Sequence, residues 1–159
     1  MSDIREMLTR HECDKLVPYR CPAGRKTIGR GWNMDANPLP ADIQAYLDAH
    51  GHITQEMSDR LLELSIATAN RYCLRIFPAF LGLTPNRRNA LLDWMFNVGI
   101  GAAVAFKKFI AAVNRGDWLT AGQELRDSAY WRQLHGDPKG TDDGREERPE
   151  EIRRMLLEG

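Results

Sequence analysis

The sequence predicts an α+β fold that is mainly helical, with one small sheet near the N-terminus. Apolar residues recur at helical spacing over most of the chain, and capping residues precede many of these runs. Residues 17–33 differ, because they hold short runs typical of strands, separated by Pro and Gly. The 159 residues suffice for one domain or for two small lobes with a shared core.

The first helix is predicted behind Ser2, a residue type that often caps helices, and its apolar face includes Met7 and Leu8. We expect this helix to end near Glu12–Cys13. Asp3 and Glu6 in the first turn favour the same start, because acidic side chains stabilise a helix N-terminus.

A β-hairpin is predicted directly after this helix. Residues 17–19 and 26–28 are expected to form short strands, and residues 21–24, Cys-Pro-Ala-Gly, the turn between them. Residues 33–40 contain two prolines and are predicted to be a loop.

Helices are predicted over most of the remaining chain. One of them, from Thr54 to Pro78, would have about 24 residues and a length of ~36 Å, enough to bridge two lobes. Three predicted helices begin and end at Pro40 and Gly51, at Thr54 and Pro78, and at Thr84-Pro85 and Gly99. A fourth has an apolar stripe of Phe106, Phe109, Ile110 and Val113 and ends at Gly116. Asp117 caps the next helix, and the last helix begins at Pro149.

Two lobes follow from this order of elements. We predict an N-terminal lobe at about residues 14–60 that contains the hairpin, and a helical lobe formed by about residues 61–159 together with the first helix. Residues 135–148 are polar and rich in Gly and Asp, so they are predicted to form a mobile surface loop.

Composition excludes several classes of function. The chain has 22 basic and 22 acidic residues, so no basic field argues for nucleic acid. No apolar run approaches the ~20 residues of a membrane span, and the first residues are too charged for a signal peptide. We expect no membrane insertion and a protein that stays in a cytosol until something releases it.

Three cysteines cannot all pair internally, and their odd number fits free thiols in a reducing compartment. The spacing of Cys13 and Cys21 matches no zinc pattern, and neither His11 nor His50 completes one. We therefore expect no metal and no cofactor. Whether Cys13 and Cys21 form a disulfide after release into an oxidising compartment is left undecided by the sequence.

Glu12, Cys21 and Thr27 are the sharpest candidates for chemistry, although each has an ordinary structural explanation. Glu12 would donate a proton if apolar neighbours favour its neutral form, or it is a solvated residue at a helix end. Cys21 lies between Arg20 and Arg25; it would orient or deprotonate a water or act as a nucleophile, or it is a small half-buried residue. Thr27 would hold a water or simply favour a strand.

In order and spacing, Glu12, Cys21 and Thr27 resemble the catalytic signature of the phage-type lysozymes, glycoside hydrolase family 24, in the subgroup with Cys at the second position. His11 before the glutamate, Tyr19, the Cys-Pro-Ala-Gly turn and the following Thr-Ile-Gly agree with it. The resemblance continues over nearly the whole chain, through Arg88, Ala90-Leu91, Met95-Phe96, Gly99, Phe106, Trp118, Ala121, Leu125, Ser128, Trp131, Gln133 and Arg148.

The resemblance implies a two-lobed muramidase that cleaves the β-1,4 bond between N-acetylmuramic acid and N-acetylglucosamine. Glu12 would be the general acid, and Cys21 and Thr27 would position and activate water on the opposite face of the sugar. It further implies that Arg148 orients the glutamate and that Asn33, Phe96 and Asn97 contact the substrate.

The implied biological setting is an endolysin that acts as a monomer on peptidoglycan and depends on a holin for release from the host cytoplasm. Two alternatives stay open: a lytic transglycosylase, which needs only Glu12, and an inactive wall-binding or tail-associated homologue. The chain departs from the family pattern at Cys13 and Trp32, where the family has Gly and His. It is also neutral where many relatives are basic, which argues against strong attraction to an anionic wall.

Overall fold

The computed structural model describes residues 3–21, 23–134 and 147–159, with backbone alone for residues 133 and 134. It confirms the predicted α+β class, because the structure is mainly helical and contains one small antiparallel sheet of three strands. The elements are α1 (Ile4–His11), β1 (Asp14–Arg20), β2 (Lys26–Arg30), β3 (Trp32–Asn33), α2 (Ala41–His50), α3 (Gln55–Ile76), a 3₁₀ turn (Phe80–Gly82), α4 (Pro85–Ala103), α5 (Lys107–Asn114), α6 (Trp118–Arg126), α7 (Ala129–Leu134) and α8 (Arg148–Glu158).

The chain divides into two compact units, Ser2–Thr68 and Ala69–Gly159, called here the N-terminal and the C-terminal unit. The division falls within α3, a helix of 22 residues and ~33 Å. The limits predicted for the two lobes stay a prediction, and so does the place of α1 in the helical lobe.

The N-terminal unit packs its sheet and α2 around an apolar cluster. The cluster contains Ile28, Leu39, Ile43, Leu47, Ile53 and Leu61, with Leu16, Trp32, Met34 and Met57 packed at its edge. Because Ile28 comes from β2 and Ile43 from α2, the cluster fixes the sheet against the helix that follows it. A backbone hydrogen bond of 2.8 Å from Ile53 N–H to the Leu16 carbonyl adds a further link to β1.

The C-terminal unit packs α8 against α4 and α6, and its core is aromatic. Trp94 is fully buried, with its ring centroid 4.8 Å from that of Phe109 and 5.4 Å from that of Phe106. Trp94 therefore belongs to the core and is not exposed for stacking against a ligand.

Most predicted caps are present. Thr84 Oγ accepts from Arg87 N–H at 3.3 Å, Thr54 Oγ from Met57 N–H at 3.2 Å, and Gly51 ends α2 in the left-handed conformation. The prediction for α1 was wrong, because Asp3 caps this helix by accepting from Arg5 N–H. Ser2 lies outside the described residues.

Three other boundaries differ from the prediction. Asn33 ends strand β3, since a backbone pairing with Thr27 continues the sheet where a loop was expected. Helix α4 continues beyond Gly99 to Ala103 through a kink, because Gly99 takes a φ of 71°. The short helix α7 was not predicted. The loop expected at residues 135–148 falls mostly outside the described residues.

None of the helices in the described ranges combines the length and apolar composition that crossing a bilayer requires.

Candidate functional site

Glu12 lies at the C-cap of α1, where the helix gives way to extended backbone. Its N–H donates to the Leu8 carbonyl at 2.9 Å, which closes the last turn of the helix. Met7 and Leu8 are almost fully buried and anchor this turn, while the Glu12 side chain is half-buried. The helix thus holds a carboxyl group at a fixed point immediately before strand β1.

Cys21 is held by the turn of the hairpin. Its N–H donates to the Arg25 carbonyl at 3.0 Å, and its own carbonyl accepts from Gly24 N–H at 2.8 Å. Gly24 has a φ of 78°, which favours glycine at this position. The predicted turn is therefore confirmed by its hydrogen bonds, and it presents a half-buried thiol at the end of the hairpin.

The surroundings of Cys21 favour the thiolate. Burial acts to raise the pKa of this thiol, but hydrogen bonds from the backbone of Arg25 and Ala23 and from Thr27, with the positive charge of Arg25, outweigh it. The pKa consequently lies below its usual range. A group that nearby donors hold in its charged form can accept a proton from water.

Thr27 lies on β2 and is almost fully buried, which separates it from an ordinary exposed strand residue. Its Oγ donates to the Arg25 carbonyl at 3.0 Å, yet it also hydrogen-bonds Cys21. A hydroxyl carries one proton, so it cannot donate to both partners at once. When Cys21 is a neutral thiol the hydroxyl donates to the carbonyl, and when Cys21 is a thiolate it can turn to the sulfur.

Tyr19 connects the three candidates. It pairs with Thr27 across the two strands, so both side chains lie on one face of the sheet. Burial is the largest of the effects that raise the pKa of Tyr19 to about 12, followed by the negative charges of Glu12, Cys13 and Cys21. Glu12 and Cys21 are therefore both within electrostatic reach of one phenol, and that phenol keeps its proton at neutral pH.

Asn33, a predicted substrate contact, lies opposite Thr27 in the sheet. Its Oδ1 accepts from Asp35 N–H at 3.0 Å and from Ala36 N–H at 3.2 Å. These bonds commit the side-chain oxygen to the turn after β3. Its role toward a substrate stays a prediction.

Phe96, Asn97 and Arg148 belong to the C-terminal unit. Phe96 is half-buried and Asn97 exposed on α4, shortly before the kink at Gly99. Arg148 opens α8, and its Nε donates to Asp93 Oδ1 at 2.7 Å. The roles predicted for Phe96, Asn97 and Arg148 stay predictions.

Asp93 is a residue that the sequence analysis missed. It is fully buried on α4, where its carboxylate forms the ion pair with Arg148, itself only 10% exposed. A charged residue between Leu92 and Trp94, in an otherwise apolar run, was the available signal, because buried charges are almost always paired.

A polar network around Arg30 was also missed. The Arg30 side chain, 8% exposed, pairs with Asp14 at 3.2 Å and with Asp59, and thereby joins β2 to β1 and α3. Ser58 Oγ donates to Asp14 Oδ1 at 2.7 Å. Gly29 permits this approach, since a Cβ there would lie 3.1 Å from Ser58 Oγ. The glycine therefore serves the packing of the hairpin against α3 rather than the approach of a ligand.

Among the described residues, no group of three His, Cys, Asp or Glu side chains lies close enough together to hold a metal ion. Cys13, Cys21 and Cys73 are free thiols. The groups that the structure describes at this site include a carboxyl group, a thiol, a hydroxyl and a phenol.

Comparison with known proteins gives a phage spike protein, T4-type lysozymes and an endolysin among the relatives of this chain. The chain is 29% identical over 147 residues to the pre-baseplate central spike protein of Enterobacteria phage T4, covering 84% of this chain but 26% of the spike protein. It is 24% identical to a probable T4-type lysozyme of Dictyostelium discoideum, over 84% of this chain and 87% of that protein. An endolysin of Acyrthosiphon pisum secondary endosymbiont phage 1 is 29% identical over 75% of this chain and 72% of its own length.

The family comparison covers most of the chain. The phage lysozyme family model matches residues 9–148, a range that begins before Glu12 and includes Cys21, Thr27 and Arg148. The chain thus belongs to the phage lysozyme family, the lysozyme-type cell-wall hydrolases.

Proposed function

We propose that this protein is an active muramidase that hydrolyses the β-1,4 bond between N-acetylmuramic acid and N-acetylglucosamine in peptidoglycan. The observation that carries the proposal is the hairpin site in the N-terminal unit: the turn holds Cys21, whose pKa is lowered by backbone donors and by Thr27, and Glu12 precedes the same hairpin. A carboxyl group and a separate proton acceptor are the two groups that glycoside hydrolysis requires.

In the proposed reaction, Glu12 gives its proton to the glycosidic oxygen as the bond from that oxygen to the anomeric carbon breaks. A water attacks the anomeric carbon from the opposite face, and the Cys21 thiolate takes the proton that this water loses. Thr27 orients the water through its hydroxyl. Attack from the opposite face inverts the configuration at the anomeric carbon, and exchange with solvent restores the proton on Glu12.

The lowered pKa of Cys21 supports the role of the thiol as a base. An unperturbed cysteine, with a pKa of ~8.5, is only a few per cent thiolate at pH 7. The hydrogen bonds and the charge of Arg25 increase that fraction. The same donors would also stabilise a carboxylate at this position, so an aspartate could take over the role.

Analysis of the products of purified peptidoglycan tests the proposal. We expect new reducing ends on muramic acid, released as the inverted α-anomer when the reaction is followed by NMR before mutarotation. Anhydro-muramic ends would instead identify a lytic transglycosylase that uses Glu12 alone. An absence of any cleavage by the folded protein would indicate an inactive homologue.

For the biological role, we propose an endolysin that waits in the host cytoplasm as a monomer, until a holin opens the membrane and the wall becomes accessible. The likeness to an endolysin supports this role. In cells that express the chain, lysis should require a membrane-permeabilising agent, and lysis without one would contradict the dependence on a holin.

The likeness to a central spike protein favours a second candidate, a lysozyme module that is part of a phage tail. The two roles differ in where the protein is found after assembly. Mass spectrometry of purified particles should detect a tail module in stoichiometric amount, whereas an endolysin should be absent from them.

A further inference from the structure

Three cations lie together at the turn end of the β-hairpin: Arg20, Arg25 and Lys26, here called the hairpin cations. All three are exposed, and within the described part of the chain none of them forms an ion pair with a carboxylate. Arg20 Nη1 donates instead to the Gly24 carbonyl at 2.8 Å. Three other arginines of the same unit each pair with a carboxylate, namely Arg5 with Glu63, Arg30 with Asp14, and Arg60 with Asp42.

The register of the hairpin brings two of these cations face to face. Arg20 pairs directly with Lys26 across the antiparallel strands, which separates their Cβ atoms by roughly 5 Å. Like charges directly opposite each other destabilise a sheet. Neutral side chains would keep the backbone pairing without this repulsion. The hydrogen bond from Arg20 to the Gly24 carbonyl explains one of the two cations, but it does not explain a second cation at Lys26.

The neutral net charge of the chain conceals this local excess. Residues 14–30 contain five basic residues and one acidic residue, whereas residues 35–68 contain one basic residue and six acidic ones. Asp35 lies near the hairpin end, but its Oδ2 accepts from the backbone N–H of Lys26 at 2.9 Å. The charges on the Arg20 and Lys26 side chains are therefore available to an external anion.

We propose that the hairpin cations bind carboxylates of the peptide stems of peptidoglycan. This proposal rests on the proposed function, which makes peptidoglycan the substrate. Alternation along the strands puts Arg20 and Lys26 on the sheet face opposite to Tyr19 and Thr27. The bound stems would therefore lie behind the hairpin while the glycan lies on the face that carries the catalytic groups.

Binding of a carboxylate also resolves the repulsion between the two strands. The guanidinium of Arg20 and the ammonium group of Lys26 extend from directly paired positions, so they can donate to the two oxygens of one carboxylate. Electrostatic contacts of this kind at an exposed surface weaken as salt is added. The surface is thus expected to contribute to substrate affinity at low ionic strength and not to the chemical step.

The test measures sedimentation of the protein with insoluble peptidoglycan, in the Glu12→Gln background so that the polymer stays intact. We expect Arg20→Gln with Lys26→Gln to weaken binding by about 5- to 10-fold at low salt, from two exposed charge contacts. The matched control is Lys107→Gln with Lys108→Gln, which removes two exposed cations of α5 and should leave binding unchanged. Peptidoglycan whose carboxyl groups have been amidated should bind the hairpin variant and its parent equally.

Thermal unfolding of the same variants separates binding from folding. The substitutions remove a like-charge pair and also the exposed hydrogen bond from Arg20 to the Gly24 carbonyl, two opposing effects. The hairpin variant should therefore unfold at about the same temperature as its parent while binding less well. A loss of stability that parallels the loss of binding would overturn the proposal in favour of a structural role. So would an equal loss of binding in the Lys107 and Lys108 control.

Two further outcomes distinguish the remaining alternatives. If the hairpin variant loses binding to vesicles with anionic phospholipid but not to peptidoglycan, the surface recognises a membrane and the proposal is wrong. The proposed function fails separately, when the protein with Glu12 intact releases no ends from peptidoglycan. The present inference fails alone under a different result. In that case the protein with Glu12 intact releases reducing ends, and the hairpin variant binds and digests native and amidated peptidoglycan as its parent does.

Discussion

Residues 12–27, which carry the proposed catalytic groups and are called here the catalytic segment, differ in burial from the aromatic core around Trp94. Trp94 is fully buried and meets other aromatic rings on several sides. In the catalytic segment Glu12 and Cys21 are only half-buried, and Val17 is 51% exposed. Since burial of apolar surface is the main source of stability, the core should carry stability and the segment should carry activity.

The surroundings also shift the pKa of a cysteine in opposite directions at Cys73 and Cys21. Cys73, on α3, donates from its Sγ to the Leu91 carbonyl at 3.6 Å, and burial raises its pKa to about 12. For Cys21 the donors and the charge of Arg25 outweigh burial, so its pKa is lowered. The surroundings thus favour the neutral thiol at Cys73 and the thiolate at Cys21, because the neighbours of a cysteine determine which protonation state is more stable.

The largest expected effect separates activity from stability at Glu12. Glu12→Gln should lower the rate of peptidoglycan hydrolysis by about 1,000-fold, because the shape is kept while the transferable proton is lost. The unfolding free energy should change by less than about 0.5 kcal/mol. Glu6→Gln, an exposed position on the same helix, is the control and should retain full activity. Residual activity above a few per cent in Glu12→Gln would mean that the acid is another residue.

The converse effect is expected in the aromatic core. Trp94→Ala should lower the unfolding free energy by about 3–5 kcal/mol, because it removes a large buried ring and leaves a cavity. Val17→Ala, in the catalytic segment, should cost less than about 0.5 kcal/mol. Denaturation by urea measures both, and Trp94→Phe covers the case in which the alanine variant does not fold. A similar cost at the two positions would remove the distinction between core and segment.

The sequence predicted the features that depend on local patterns. The hairpin turn and the caps at Thr54 and Thr84 follow from residue type and spacing, and the structure agrees with each. Such features need information from a few neighbouring residues only.

What the sequence could not predict depends on residues that are far apart in the chain. The ion pair of Arg30 with Asp59 joins residues 29 positions apart in the sequence, and that of Arg148 with Asp93 joins residues 55 positions apart. No local pattern contains such a partner. The roles of Glu12 and Cys21 were likewise undecided from local pattern, because each residue also has an ordinary structural explanation at its position. Family resemblance supplied what local reasoning could not.

A smaller effect on activity is expected at Cys21. Cys21→Ala should lower the rate of hydrolysis by about 100-fold, since it removes the group that accepts the proton of water. Cys21→Asp should keep activity, because the donors that stabilise the thiolate also stabilise a carboxylate. Cys13→Ala removes an exposed thiol and serves as the control. Equal rates for Cys21→Ala and wild type would show that Thr27 and the rest of the site position the water without the thiol.

The pH dependence of thiol alkylation measures the contrast between the two cysteines directly. The thiolate is the reactive form, and the pKa of Cys21 is lowered, so its alkylation by iodoacetamide should rise with pH at lower values than for a free thiol, near ~8.5. Cys73, with burial raising its pKa to about 12, should stay unmodified in the folded protein. Peptide mass spectrometry assigns the label to each cysteine. Arg25→Gln should move the Cys21 profile to higher pH, since it removes a positive charge that favours the thiolate; an unchanged profile would leave the backbone donors as the cause of the shift.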